Sequence, residues 1–252
     1  MSDNWGHYIA NISGHSASIV FDEGVAASIK TLPENISYLV TARLIEVNEN
    51  KLPTDAEAER LQDLQERLDA LFMKDAGYSV GRVTYNGERH YFFYTNTASK
   101  DLSDAIYKTG LELGYELGGG SREDAEKEAY FENLYPDPES RQVMLDMRVI
   151  DLLLDKDDDI HAPRLVDHVS VFQSKQAAKA YAEWAVEAGY QLDPIRKEGG
   201  LFKRTFLVET HNVTAVGVSD INPHSLGHFR KALELGGEYD GWGCTIVTQA
   251  KD

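Results

Sequence analysis

Hydrophobic positions recur at helical spacing along four main stretches of the chain. From Thr54 to Lys74 they are Leu61, Leu64, Leu68, Leu71 and Phe72, and from Ser174 to Ala188 they are Ala178, Tyr181, Ala182, Ala185 and Val186. Thr54 and Ser174 suit N-caps, and Gly77 and Gly189 suit the positions that stop the helices. Further helices are predicted over Asp101–Leu113 and Pro223–Leu235, the latter entered through Asn222-Pro223. Both run out in Leu-Glu-Leu-Gly, at Leu111–Gly114 and at Leu233–Gly236.

Between the members of each helix pair the period drops to two. AGYSVGRVTYNGERHYFFYTN, from Ala76, and AGYQLDPIRKEGGLFKRTFLVET, from Ala188, each read as strand, tight turn, strand, with Asn86-Gly87 and Gly199-Gly200 at the turns. A strand precedes each first helix, over Ile36–Val47 and Arg164–Gln173, and another follows each second helix. Strand, helix, strand, strand, helix, strand thus occurs twice, which is the split βαβ plan of the ferredoxin-like fold. The expectation is an α+β protein of two tandem ferredoxin-like (βαββαβ) domains with antiparallel sheets, each sheet carrying two helices on one face. An N-terminal hairpin, WGHYIANI and SASIVFD, extends the first domain. So does a connector helix over Ser140–Leu154, with Val143, Met144, Met147, Ile150, Leu153 and Leu154 on its apolar side. The acidic run Asp155–Asp159 then sets the expected domains at 1–155 and 160–252.

Composition narrows the classes. With 252 residues, 42% hydrophobic and 10% aromatic, the chain can bury two ordinary cores. No apolar run is long enough to span a membrane, and the N-terminus reads as neither an export signal nor an anchor. The single cysteine, Cys244, excludes an internal disulfide, so a cytoplasmic protein is expected. The net charge of −17 is uneven, with 31 acidic and 15 basic side chains in residues 1–160 against 11 and 10 in residues 161–252. That field repels phosphate backbones, so no direct nucleic-acid contact is expected, whereas a basic protein partner is allowed.

Reactive constellations are scarce, and no catalytic, cofactor-binding or metal-binding residues are assigned. Asp155, Asp157 and Asp159 are spaced like the start of a calcium loop, but Ile160 and Val166 stand where its glycine and bidentate glutamate belong. Gly118-Gly119-Gly120-Ser121 lacks the Gly-Lys-Ser/Thr of a phosphate loop and reads as a strand exit. His224 and His228 share a helix face without an identifiable third ligand. Tyr91-Phe92-Phe93-Tyr94 occupies the central strand where RNA-recognition motifs stack bases, yet it lacks their sequence pattern and reads as packing.

The final strand is the most distinctive stretch: Glu238-Tyr239-Asp240-Gly241-Trp242-Gly243-Cys244, following a helix that ends in Leu-Glu-Leu-Gly. With AEWAVEAGYQL upstream, it makes the second domain, roughly Arg164–Thr248, resemble the regulator of ribonuclease E activity, RraB family. Residues from about Asn4 to Leu154, including ENLYPDPESRQ, resemble a domain of unknown function often fused in front of that regulator. The resemblance implies a non-catalytic protein that binds a ribonuclease E-like enzyme and restrains RNA turnover. This chain departs from the studied regulators in its large extra domain, its near-neutral second domain and its ending, VTQAKD, in place of a very acidic tail. The candidate partner-binding residues are Glu238, Tyr239, Asp240 and Trp242. Strict alternation puts Tyr239, Gly241 and Gly243 on one side of the strand and Asp240, Trp242 and Cys244 on the other, unless a bulge resets it. Trp242 is then either an indole packed where the glycines admit a neighbouring helix or strand, or an exposed anchor ringed by acids. A function from another class stays open: small-molecule sensing in a cleft between the domains.

Overall fold

A computed structural model of the chain describes residues 2–74, 76–199 and 204–248. The chain divides into two compact units, Met1–Asp137 and Pro138–Asp252.

In the first unit, strands β1 (Trp5–Ile12) and β2 (His15–Asp22) form the expected N-terminal hairpin. The βαββαβ sequence follows as β3 (Ile36–Arg43), α1 (Asp55–Lys74), β4 (Tyr78–Tyr85), β5 (Glu88–Thr95), α2 (Lys100–Leu113) and β6 (Leu117–Glu123), with a short α3 (Glu128–Asn133) behind it. The sheet order is β1-β2-β4-β5-β3-β6, all antiparallel, so the last four strands have the ferredoxin-like arrangement with the hairpin added at one edge. Leu61, Leu64, Leu68 and Phe72 of α1 are fully buried against Val40, Tyr91 and Phe93. Phe72 and Phe93 stack with ring centroids 3.9 Å apart. Thr54 caps α1 by accepting from the Glu57 N–H at 3.3 Å. Asn86 and Gly87 both have positive φ (48° and 84°), as a type I′ hairpin turn requires. Gly118–Ser121 lies inside β6 rather than beyond it, because β6 pairs with β3 from Leu117 to Glu123.

The second unit begins with α4 (Pro138–Leu154) and continues β7 (Arg164–Phe172), α5 (Lys175–Glu187), β8 (Gln191–Leu192), β9 (Arg196–Glu198), β10 (Thr205–Thr214), α6 (Val218–Glu234) and β11 (Glu238–Cys244). Its order, β11-β7-β10-β8 with β9 also on β10, is again ferredoxin-like. The strand predicted after Gly189 is broken in two by Pro194, which has no N–H for the ladder. Gly199 has a φ of 89°, and Gly200, the other half of the predicted turn, lies outside the described residues. Helix α6 starts a turn earlier than Asn222-Pro223, at Val218, with Gly217 as its N-cap.

The helix Ser140–Leu154, expected to close the first domain, is α4 and packs within the second unit. Gln142, Asp146, Ile150 and Leu153, spaced at i, i+4, i+8 and i+11, are buried together with Met144, while Met147 and Leu154 are exposed. The chain therefore divides between Asp137 and Pro138, some twenty residues before the acidic run. Asp158 of that run is buried and pairs with Arg164 at 2.6 Å, and its Oδ2 also accepts from the Val247 N–H at 2.7 Å. Burial alone would raise the Asp158 carboxyl; the Arg164 guanidinium and the Val247 N–H outweigh it and hold it below the usual range.

Candidate functional site

Strand β11 carries a bulge. Tyr239 pairs with Ser170 and Gly241 with Val169, so Asp240 is the extra residue and alternation restarts after it. Tyr239 and Trp242, opposed in strict alternation, therefore point to the same, helix-covered face. Tyr239 is 7% and Trp242 9% exposed, whereas Glu238 and Asp240 are exposed. The four candidate partner residues thus split into two interior and two surface side chains. The indole Nε1 of Trp242 donates to Asp146 Oδ1 at 2.9 Å; Gln142 Nε2 donates to the same oxygen at 2.9 Å, and Ser225 Oγ donates to Oδ2. Burial raises the Asp146 carboxyl, and the three donors oppose that rise. Asp146 ties α4, α6 and β11 together, which is why the connector helix belongs to this unit. In sequence its only signal was a carboxylate in helical register with Ile150 and Leu153.

Gly241 and Gly243 pair with Val169 and Asp167, on the face turned away from α5 and α6. A Cβ at either glycine would meet nothing within 4 Å, so neither glycine admits a neighbouring helix or strand of this chain. They leave the sheet bare. Around them Leu165 and Val213 are 49% and 67% exposed, and Val169 and Leu207 are half-buried. His211 Nδ1 lies 2.7 Å from Asp167 and its Nε2 3.4 Å from Asp193. Burial pulls the His211 pKa down, but Asp167 and Asp193 outweigh it and hold it above the ordinary value.

The opposite, helix-covered face holds an aromatic and imidazole network that sequence reasoning missed, because its members come from five separated elements, β7, α5, β10, α6 and β11, with Tyr190 in the loop after α5. His168 Nε2 lies 3.1 Å from Asn212 Oδ1, an acceptor, so Nε2 carries the proton and Nδ1 accepts from the Tyr239 hydroxyl at 2.8 Å. Asn212 Nδ2 donates to His224 Nε2 at 3.2 Å, leaving His224 Nδ1–H to donate to Tyr190 at 2.8 Å. Ser170 donates to the Tyr181 oxygen, so Tyr181 donates to His228 Nδ1 at 2.6 Å. The His168 and His228 rings stack at 4.3 Å. Burial pushes His168 down to about 4 and, with His168 and His224 beside it, His228 down to about 2. The pair suggested by His224 and His228 is thus two neutral rings committed to tyrosines. Among the described residues no group of three His, Cys, Asp or Glu side chains could hold a metal ion. Burial likewise raises the Cys244 thiol, away from a reactive thiolate.

The first unit has a cavity of ≈ 1090 Å³ on the sheet face turned away from α1 and α2. Ile19, Leu39, Val83 and Phe92 line it from the sheet, and Phe131 and Tyr135, on and just after α3, line it from the side. Of the Tyr91–Tyr94 run, Tyr91 and Phe93 are in the core under the helices. Phe92 faces the cavity, and the Tyr94 hydroxyl donates to Asp124 Oδ2 at 2.6 Å.

Fold and site together define a protein of two ferredoxin-like units, the second of which holds His168 and His228 inside and presents a bare sheet face. The chain belongs to the Family of unknown function (DUF695), matched over residues 3–135, and residues 145–244 match the family Regulator of ribonuclease activity B (RraB). No curated protein matches the chain. Among solved structures it is similar to an unknown protein from Galdieria sulphuraria, with 8% identity, 84% of this chain and 99% of that one covered and a TM-score of 0.25. It is also similar to a candidate glycine cleavage system transcriptional repressor, with 4% identity, 85% and 98% covered and a TM-score of 0.24. Neither likeness carries functional weight. No helix among the described residues is long and apolar enough to cross a membrane.

Proposed function

We propose that the protein is a non-catalytic regulator of RNA degradation that acts in the cytoplasm by occluding a surface of a ribonuclease E-like enzyme. The observation that carries this reading is the match of residues 145–244 to a family of ribonuclease regulators, on a unit whose His168 and His228 are locked in the interior as neutral rings. The docking surface is the glycine-bared sheet face with Leu165, Val169, Val213, Gly241 and Gly243, and the exposed Glu238 and Asp240 lie at its β11 edge. Tyr239 and Trp242 contribute by holding that strand in register. Charge fits a basic partner segment: with the break at Asp137, the second unit holds 18 acidic and 13 basic side chains, so it is not the near-neutral body expected from a break at the acidic run.

Affinity capture from cell extract with the full chain, at low and high salt and with a Val213→Asp variant in parallel, tests the proposal. The expected result is salt-sensitive capture of a ribonuclease that the variant loses. Clean isolation of the wild-type chain with no ribonuclease bound would contradict it.

A further inference from the structure

The cavity of the first unit plays no part in that proposal, and its lining has a consistent chemistry. Ile19, Val83 and Phe92 are 3%, 4% and 9% exposed and, with Leu39, form an apolar floor across four neighbouring strands. The floor ends against β6, where Gly120 sits opposite Leu39 and Arg122 opposite Ser37. A Cβ at Gly120 would meet nothing within 4 Å, so this glycine answers no packing need within the chain and instead widens the cavity. Gly119 differs, since its Cβ would fall 1.9 Å from the Leu39 carbonyl oxygen at a φ of 127°, so it serves strand pairing.

Arg122 is the one lysine or arginine among the lining residues, and it has no ion-pair partner within 4 Å among the described residues. The neighbouring Asp124 feels the Arg122 charge, but its oxygens accept from Tyr94 and from the Glu128 and Ala129 N–H groups rather than from the guanidinium. Two acids line the cavity: Glu132, which also borders a separate depression with Lys30, Glu126 and Glu128 and so stands at the rim, and Asp137, whose charge acts on Tyr8. At His90, on the far side of the floor, burial lowers the pKa against the pull of Glu88. An unpaired guanidinium at one end of an apolar trough suits a ligand with one anionic end and an apolar body. From Leu39 on β3, across β5 and β4, to Ile19 on β2 the floor spans three interstrand spacings, about 14 Å.

We propose that this cavity binds an amphipathic carboxylate, the anionic end on Arg122 and an acyl or aryl body of up to about 14 Å lying over Ile19, Leu39, Val83 and Phe92. The first unit holds 24 acidic and 12 basic side chains, so its overall field opposes anions, and a preference for an anion must arise locally at Arg122.

The test is calorimetric titration of the full chain with three probes of equal chain length, decanoate, decanol and decyltrimethylammonium, all below micelle formation. Saturable binding with decanoate tightest is expected. Arg122→Gln should weaken decanoate about tenfold to a hundredfold, the loss of a charge-assisted contact, and leave decanol within about twofold. Gly120→Leu, whose Cβ would meet nothing within 4 Å and whose isobutyl group would fill the trough, should abolish binding of decanoate and decanol while the circular dichroism spectrum is unchanged. No saturable binding to wild type, equal affinity for all three probes, or wild-type affinity in a folded Gly120→Leu protein would each overturn the proposal.

Discussion

Trp242 is the point at which packing and recognition make opposite predictions. Replacing it with Phe keeps most of the ring volume and removes the N–H that Asp146 accepts at 2.9 Å. A hydrogen bond to a buried charged group contributes about 1.5–3 kcal/mol, and the second unit should lose that amount. Replacing it with Ala also empties the space among Ile150, Leu153, Val166 and Val216, and Trp→Ala in a core costs about 3–5 kcal/mol. Asp240→Ala changes only an exposed residue at the bulge and should stay within about 0.5 kcal/mol. With two units in one chain, global unfolding need not be a single transition, so the assay is hydrogen exchange read by mass spectrometry on peptides from α4, α6 and β11. Protection in those peptides should fall in the order wild type and Asp240→Ala, then Trp242→Phe, then Trp242→Ala, with peptides of the first unit unchanged. A Trp242→Ala protein with wild-type protection that has lost ribonuclease capture would refute the packing account and make the indole a contact.

Other expectations come from buried charge and backbone geometry. His168 and His228 have folded pKa values below the unfolded 6.5, so the unfolded state binds more protons and stability of the second unit falls as pH drops from 6.5 toward 4. Each histidine adds a slope of about 1.4 kcal/mol per pH unit there, so urea midpoints at pH 6.5 and 5.0 should differ clearly; equal midpoints would contradict the buried neutral network. His211, held above its ordinary value, works in the other direction: its contribution is present below pH 6.5 and is lost as pH rises through the raised value, and Asp167→Asn, which leaves only Asp193 beside the ring, should weaken that dependence. Arg164→Ala leaves Asp158 buried without its cation and should cost about 3–5 kcal/mol by urea titration, while the joint change Asp158→Leu, Arg164→Met should recover much of it. Gly119→Ala should destabilise the first unit by more than about 1 kcal/mol by thermal melting, and Gly118→Ala, with open space at its Cβ, should not.

Physical range decides which features were legible in the sequence. The two βαββαβ orders, the caps at Thr54 and Ser174 and the Asn86-Gly87 turn are local signals, and the structure carries all of them. The domain break was misplaced because the apolar stripe read for Ser140–Leu154 included Met147 and Leu154, which are exposed, and passed over Asp146, which is 1% exposed. A carboxylate buried by partners 79 and 96 residues away leaves no local trace. The same holds for His168, whose partners Asn212 and Tyr239 lie 44 and 71 residues on. At Tyr239 and Trp242 the bulge decided the outcome: one inserted residue turned an alternating strand into one with both rings inward. The glycines beside Trp242 were legible as a feature, but their role was inverted, since they clear the opposite face of the sheet.

The proposed regulation of a ribonuclease rests above all on the bare sheet face of the second unit. The most direct test of that face is biolayer interferometry of the full chain against a purified ribonuclease E, with RNA cleavage followed in the same mixture, for wild type and for a Leu165→Asp, Val213→Asp protein of unchanged circular dichroism. Saturable binding and slowed cleavage are expected with wild type, and neither with the variant. Equal binding by both proteins, or no binding by either, would contradict the role given to this face.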